Sequence, residues 1–106
     1  DRGVVAAYDA DPLIYHGGTQ AGMGRALLEA IERAADGLAG MDAPLLILHG
    51  GADEIADVVG SRALHERARS ADKTLKVYDG LFHEIMNEPE QGQVLADITR
   101  WLDARA

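Results

Sequence analysis

Leu45-Leu46-Ile47-Leu48-His49-Gly50-Gly51-Ala52-Asp53 is the stretch that decides the fold class. Four aliphatic residues follow the chain break at Ala43-Pro44 without a polar interruption, then give way to a histidine, two glycines and an acid. So short an unbroken apolar run fits a strand covered on both faces, as in a parallel sheet. Downstream, residues 74–78 (TLKVY) alternate more and read as a second strand. Helical spacing surrounds both. Met23, Leu27, Ala30, Ile31 and Ala34 recur as on one helix face, predicting a helix over 19–35 with Thr19 as N-cap and Gly37 near its end. Its Met and Leu positions are expected in the core. Val58, Val59, Ala63, Leu64 and Ala68 mark a helix over 58–70. Asn87-Glu88-Pro89-Glu90 offers an N-cap, an early proline and a capping-box glutamate for a third helix, whose stripe is Val94, Ile98, Trp101 and Leu102. Residues 1–18 read as irregular, with turn signals at Asp11-Pro12 and Gly17-Gly18.

The order helix, strand, helix, strand, helix implies an α/β chain with parallel pairing and right-handed crossovers. Two strands make a very small sheet, and a strand as apolar as 45–48 needs neighbours on both sides. The expectation is therefore the C-terminal part of a larger α/β sheet, with a free-standing two-strand mini-domain as the alternative. The first residue, Asp1 rather than Met, fits the same expectation. At 106 residues the chain holds one domain at most. Ten cations against 18 acids give a net charge of -8, and the cations form no block, so a nucleic-acid partner is not expected. The absence of cysteine excludes a disulfide scaffold, a thiolate zinc site and a cysteine nucleophile. No apolar run approaches the ~20 residues of a membrane helix.

Functional groups in open parallel sheets collect at the carboxyl ends of the strands. After the first strand comes Asp53; after the second comes His83, in Asp79-Gly80-Leu81-Phe82-His83-Glu84. Taken alone, Asp53 reads equally well as a turn cap and His83 as a structural histidine. Together, on consecutive strand tips, they can meet, and the carboxylate can fix the tautomer of the imidazole and stabilise its charged form. Acid then histidine are the last two members of the order serine, acid, histidine of α/β-hydrolases. Neither Ser61 nor Ser70 has the glycines of a nucleophile elbow; both fall in the second helix and read as solvated or capping.

Other signals carry less. His83-Glu84-Ile85-Met86-Asn87 has asparagine where a zincin needs its second histidine. His16, His49, His65 and His83 lack metal-ligand spacing. Gly22-Met23-Gly24 lies inside a helix and follows no strand. His49-Gly50-Gly51 looks like an oxyanion element but stands directly before the acid, and reads as part of the acid turn.

With those residues assembled, the chain resembles the C-terminal portion of the monoacylglycerol lipases, serine hydrolases of the α/β-hydrolase superfamily. Four stretches carry the resemblance: residues 8–17 (YDADPLIYHG), 44–57 (PLLILHGGADEIAD), 72–78 (DKTLKVY) and 80–90 (GLFHEIMNEPE). The resemblance implies the last two parallel strands and three helices of an α/β-hydrolase, with residues 1–15 ending the cap and 16–106 belonging to the core. It implies Asp53 as triad acid in preference to Asp57, and His83 as general base. Tyr8 falls near the glycerol end of the pocket, and Ile55, Leu81 and Phe82, beside the two turns, are expected to line its acyl side. The implied reaction is hydrolysis of a monoacylglycerol to glycerol and fatty acid, with no metal or organic cofactor. The serine would lie on an N-terminal half, the partner of this chain, and the cap would allow apolar contact with a membrane surface. Two alternatives stay open: another carboxylic-ester hydrolase (esterase, lysophospholipase or thioesterase), and a non-catalytic interaction module.

Overall fold

The computed structural model describes residues 1–106, apart from the side chain of Ala39. The elements are α1 (Arg2–Ala10), α2 (Ala21–Gly37), a 3-10 turn (Leu38–Gly40), β1 (Leu45–Gly50), α3 (Val58–Arg67), β2 (Lys73–Tyr78) and α4 (Gln91–Asp103). β1 and β2 pair in parallel, in register from Leu45 opposite Lys73 to Gly50 opposite Tyr78. The parallel pair joined by a helix is the arrangement that the alternation of elements predicts.

Side-chain alternation along the strands explains where the helices pack. Leu48 of β1 and Tyr78 of β2 pack with Val94 and Ile98 of α4, together with Leu81 and Ile85. On the same face of β2, Thr74 accepts from the Trp101 indole at 3.2 Å, and Lys76 and Tyr78 both reach Asp97. Val94, Asp97, Ile98 and Trp101 are one stripe of α4, so half of this contact is polar by design of the sequence. His49, the neighbour of Leu48, points the other way and bonds to Ser61 of α3. The two helices therefore cover opposite faces of the sheet.

Several expectations need correction. The segment read as irregular contains α1, so the described residues form four α-helices rather than three; Asp1 caps α1 through the N–H groups of Gly3 and Val4 at 2.7 and 3.3 Å. Asn87 does not start α4. Its amide donates to Glu84 at 2.7 Å within a turn, and the helix begins at Gln91 after Glu90. α2 begins after Gln20 instead of Thr19, and α3 ends at Arg67. The apolar face of α2 is not core within this chain: Met23, Leu27, Leu28 and Ile31 are more than half exposed. β1 is likewise incompletely covered, Ile47 being buried while Leu45, Leu46 and Leu48 are half-buried, because the strand has a neighbour on one edge only. The radius of gyration, 16.0 Å, exceeds the roughly 13 Å of a compact chain of this size.

Two glycines hold the strand ends together. Gly80 has φ +83, a conformation open to glycine and costly for other residues. At Gly50 a Cβ would stand 2.0 Å from the Phe82 carbonyl oxygen and 2.5 Å from that of Leu81, so the second turn crosses directly over the end of β1. Gly50→Ala is expected to cost about 1–3 kcal/mol by overpacking; an unchanged urea midpoint would refute this close approach. Asp97 supplies a pH dependence. Lys76 and the Tyr78 hydroxyl, aided by Arg100, outweigh burial and hold its carboxyl at about 2, below the ordinary 3.8. Its contribution to stability is therefore complete above pH 3.8 and is lost as pH falls through about 2. Denaturant midpoints measured across that window should fall less steeply in Asp97→Asn than in the parent.

Candidate active site

Parallel pairing sets the carboxyl ends of β1 and β2 side by side, and the turns leaving them are tied by backbone bonds. Gly51 N–H donates to the Tyr78 carbonyl at 2.8 Å and Ala52 N–H to that of Leu81 at 2.9 Å. Asp53 emerges from the first turn. Its Oδ1 accepts from the N–H groups of Ile55 and Ala56, at 2.8 and 2.9 Å. That is ordinary turn capping by aspartate. It leaves Oδ2 free to face the second turn, where His83 Nδ1 stands 2.8 Å away. Turn cap and imidazole acceptor are thus one carboxylate serving both purposes.

The Asp53 side chain is 4% exposed and the His83 side chain 46%. Burial raises the Asp53 carboxyl, but the Ala56 N–H, the His83 imidazole and the Ile55 N–H outweigh it and hold the group at about 2. At neutral pH the carboxylate is therefore charged and can only accept. His83 Nδ1 must carry the hydrogen, which leaves Nε2 as the basic position of the neutral ring.

Tyr8, Ile55 and Phe82 line, with His83, a cavity of about 860 Å³ to which Val4 and Val5 of α1 also contribute. Tyr8 also meets His16 edge-on, ring centroids 5.5 Å apart. Leu81 is placed elsewhere. It is 7% exposed and packs with Tyr78 and Val94, because the turn that sends Phe82 outward sends its neighbour into the core. Asp57 is the N-cap of α3, accepting from Val59 N–H at 2.8 Å. The two serines are engaged away from His83: Ser70 donates to the Asp72 carbonyl, and Ser61 lies 2.7 Å from His49 Nδ1.

His49, expected in the acid turn, is instead part of β1, and Ser61, expected to be solvated or a cap, is its partner on α3. His49 Nε2 is 2.9 Å from the Ala56 carbonyl oxygen and 3.5 Å from Asp53 Oδ2. The available signal was a polar residue at a strand position that alternation turns toward a helix, with a serine in the first turn of that helix.

Comparison with known proteins identifies the fold to which these strands and turns belong. Residues 1–90 match the family described as serine aminopeptidase, S33. A monoacylglycerol lipase of Mycolicibacterium smegmatis is 49% identical over 96% of this chain, which covers 36% of that protein. A caffeoylshikimate esterase of Arabidopsis thaliana is 34% identical over 91% of the chain and 30% of its own length. The crystal structure of a monoacylglycerol lipase from Paleococcus ferrophilus superposes with a TM-score of 0.89 at 34% identity, covering all of this chain and 41% of that one. The chain spans about a third of the length of the curated relatives it matches. With strands, turns and sequence in agreement, the chain belongs to the serine aminopeptidase S33 family of α/β-hydrolases and represents the C-terminal portion of that fold.

Proposed function

We propose that this chain supplies the acid and the general base of a serine ester hydrolase acting on monoacylglycerols. The observation that carries the reading is the 2.8 Å contact between Asp53 and His83 on adjacent strand ends, with the imidazole facing a largely apolar cavity. A serine on a partner segment, the N-terminal portion of the same enzyme, attacks the ester carbonyl carbon while His83 Nε2 takes its proton. The tetrahedral intermediate collapses, the C–O bond to glycerol breaks, and His83 returns the proton to the leaving alkoxide. Water, deprotonated by the same nitrogen, then cleaves the acyl-enzyme to release the fatty acid and restore the serine. Asp53 holds the imidazole in place and stabilises its charged form throughout. Val4, Val5, Ile55 and Phe82 suit an acyl chain, and Tyr8 offers a hydroxyl toward the glycerol. Residues 1–15 serve as the end of the cap, whose outer surface would meet a membrane through apolar contact. The open edge of β1 and the exposed face of α2 are where the partner segment docks.

The similarity to caffeoylshikimate esterase favours a second reading, hydrolysis of a different carboxylic ester by the same pair. Rates on monoacylglycerols of graded chain length against a phenolic ester and a thioester separate the two.

In the polypeptide that joins this chain to the nucleophile-bearing segment, His83→Ala should abolish ester hydrolysis with little change in melting temperature, since the side chain is half exposed. Hydrolysis that survives it would reject the reading. Asp53→Asn should lower turnover by up to about 10⁴, the loss seen when a triad acid is disabled in a serine protease. Asp57→Asn keeps a good helix cap and should change turnover little. Equal damage from the two aspartate variants would reverse the assignment of the acid.

A further inference from the structure

We infer that His49 is a positioning residue for the Asp53–His83 pair, acting through the backbone of Ala56; this rests on the function proposed above. His49 sits near the end of β1 with its side chain 12% exposed. The Ala56 carbonyl can only accept, so the 2.9 Å contact fixes the hydrogen on His49 Nε2. Nδ1 then presents its lone pair, and the Ser61 hydroxyl, 2.7 Å away, donates to it. Both ring nitrogens are consumed, so His49 is neither a free base nor a ligand donor.

The consequence lies at Ala56, where two successive peptide groups meet. Its N–H donates to Asp53 Oδ1 and its carbonyl accepts from His49. Ser61 of α3, His49 of β1, Ala56 and Asp53 thus form a connected series that ends at His83 Nδ1. With Oδ1 held by this turn, Oδ2 has one direction left, toward His83. The His49 N–H edge lies 3.5 Å from Oδ2, longer than an ordinary hydrogen bond, and adds a favourable dipole to the carboxylate. A strand position facing a helix is ordinarily filled by an aliphatic side chain, which would leave the Ala56 carbonyl without this donor. Apolar packing alone gives no reason for an imidazole there.

The test compares His49→Leu, His49→Gln and Ser61→Ala in the polypeptide that carries the nucleophile, with rates on a soluble ester expressed per folded molecule. A glutamine amide can still donate to the Ala56 carbonyl; leucine cannot. His49→Leu should lower kcat about tenfold to a hundredfold with KM changed less than about twofold, because aim at the reacting atoms is lost while the ester-binding surface is intact. His49→Gln should recover most of that loss. A merely structural role would lower the folded fraction and leave kcat per folded molecule alone. Unchanged kcat in His49→Leu, or a glutamine variant no better than leucine, would overturn the inference. If the leucine variant does not fold, Ser61→Ala decides, since loss of the hydroxyl removes the donor that anchors His49 Nδ1 and lets the ring move off the Ala56 carbonyl: a severalfold fall in kcat supports the role and an unchanged kcat overturns it. His83→Ala run in parallel separates the two levels. Activity retained there defeats the underlying function, whereas activity lost there and kept in His49→Leu defeats the positioning role alone.

Discussion

A single carboxylate with two differently occupied oxygens is the constraint on which the site depends. Asp53 Oδ1 belongs to its own turn, held by two backbone N–H groups, and Oδ2 belongs to the histidine of the next turn. Neither bond would have its direction without the other. The backbone donors and the His83 imidazole also keep the acid ionised despite its burial, so that it is an acceptor at neutral pH. One residue type, at one position after a strand, provides turn geometry, charge and orientation together.

The scaffold serves that carboxylate by bringing two strand ends within a hydrogen bond of each other. Parallel pairing does this without a hairpin, and the lack of a side chain at Gly50 lets the histidine turn cross the tip of β1. Behind the turns, α4 fastens β2 with a mixed seam: Val94 and Ile98 are apolar, while Asp97 gathers Lys76, Tyr78 and Arg100. Burial and the adjacent Asp97 carboxylate push the Tyr78 hydroxyl up to about 12, so this seam keeps its hydrogen-bond donor through the physiological range. Tyr78 ends β2 and is also part of the core under the histidine turn, which couples the seam to the site.

What the sequence shows and what it hides follow from the range of the forces involved. The run 45–48 and the alternation of 74–78 announce strands because burial acts on consecutive residues. Asp53 and His83 are legible because parallel topology alone places them together. α1 was hidden, since its stabilising cap comes from Asp1 and it buries no residue completely. Asn87 misled because a good cap residue is also a good turn residue, and the turn won. Leu81 and Phe82 are adjacent and both apolar, so no local pattern tells which of them the turn buries. His49 and Ser61 lie in different elements, and their contact exists only after α3 has docked.

Among the described residues β1 has one edge without a partner strand, an unpaired row of backbone donors and acceptors along an apolar strand, and the apolar side of α2 also faces water. Such an edge is a template for any other strand, including that of an identical molecule. The net charge of -8 opposes the approach of a second copy, and salt screens that opposition at separations beyond about 10 Å at 0.1 M. The colloidal behaviour of the isolated chain is therefore governed by ionic strength: dilute and salt-poor solutions favour dispersed molecules, while concentrated, salt-rich ones favour edge-to-edge aggregation.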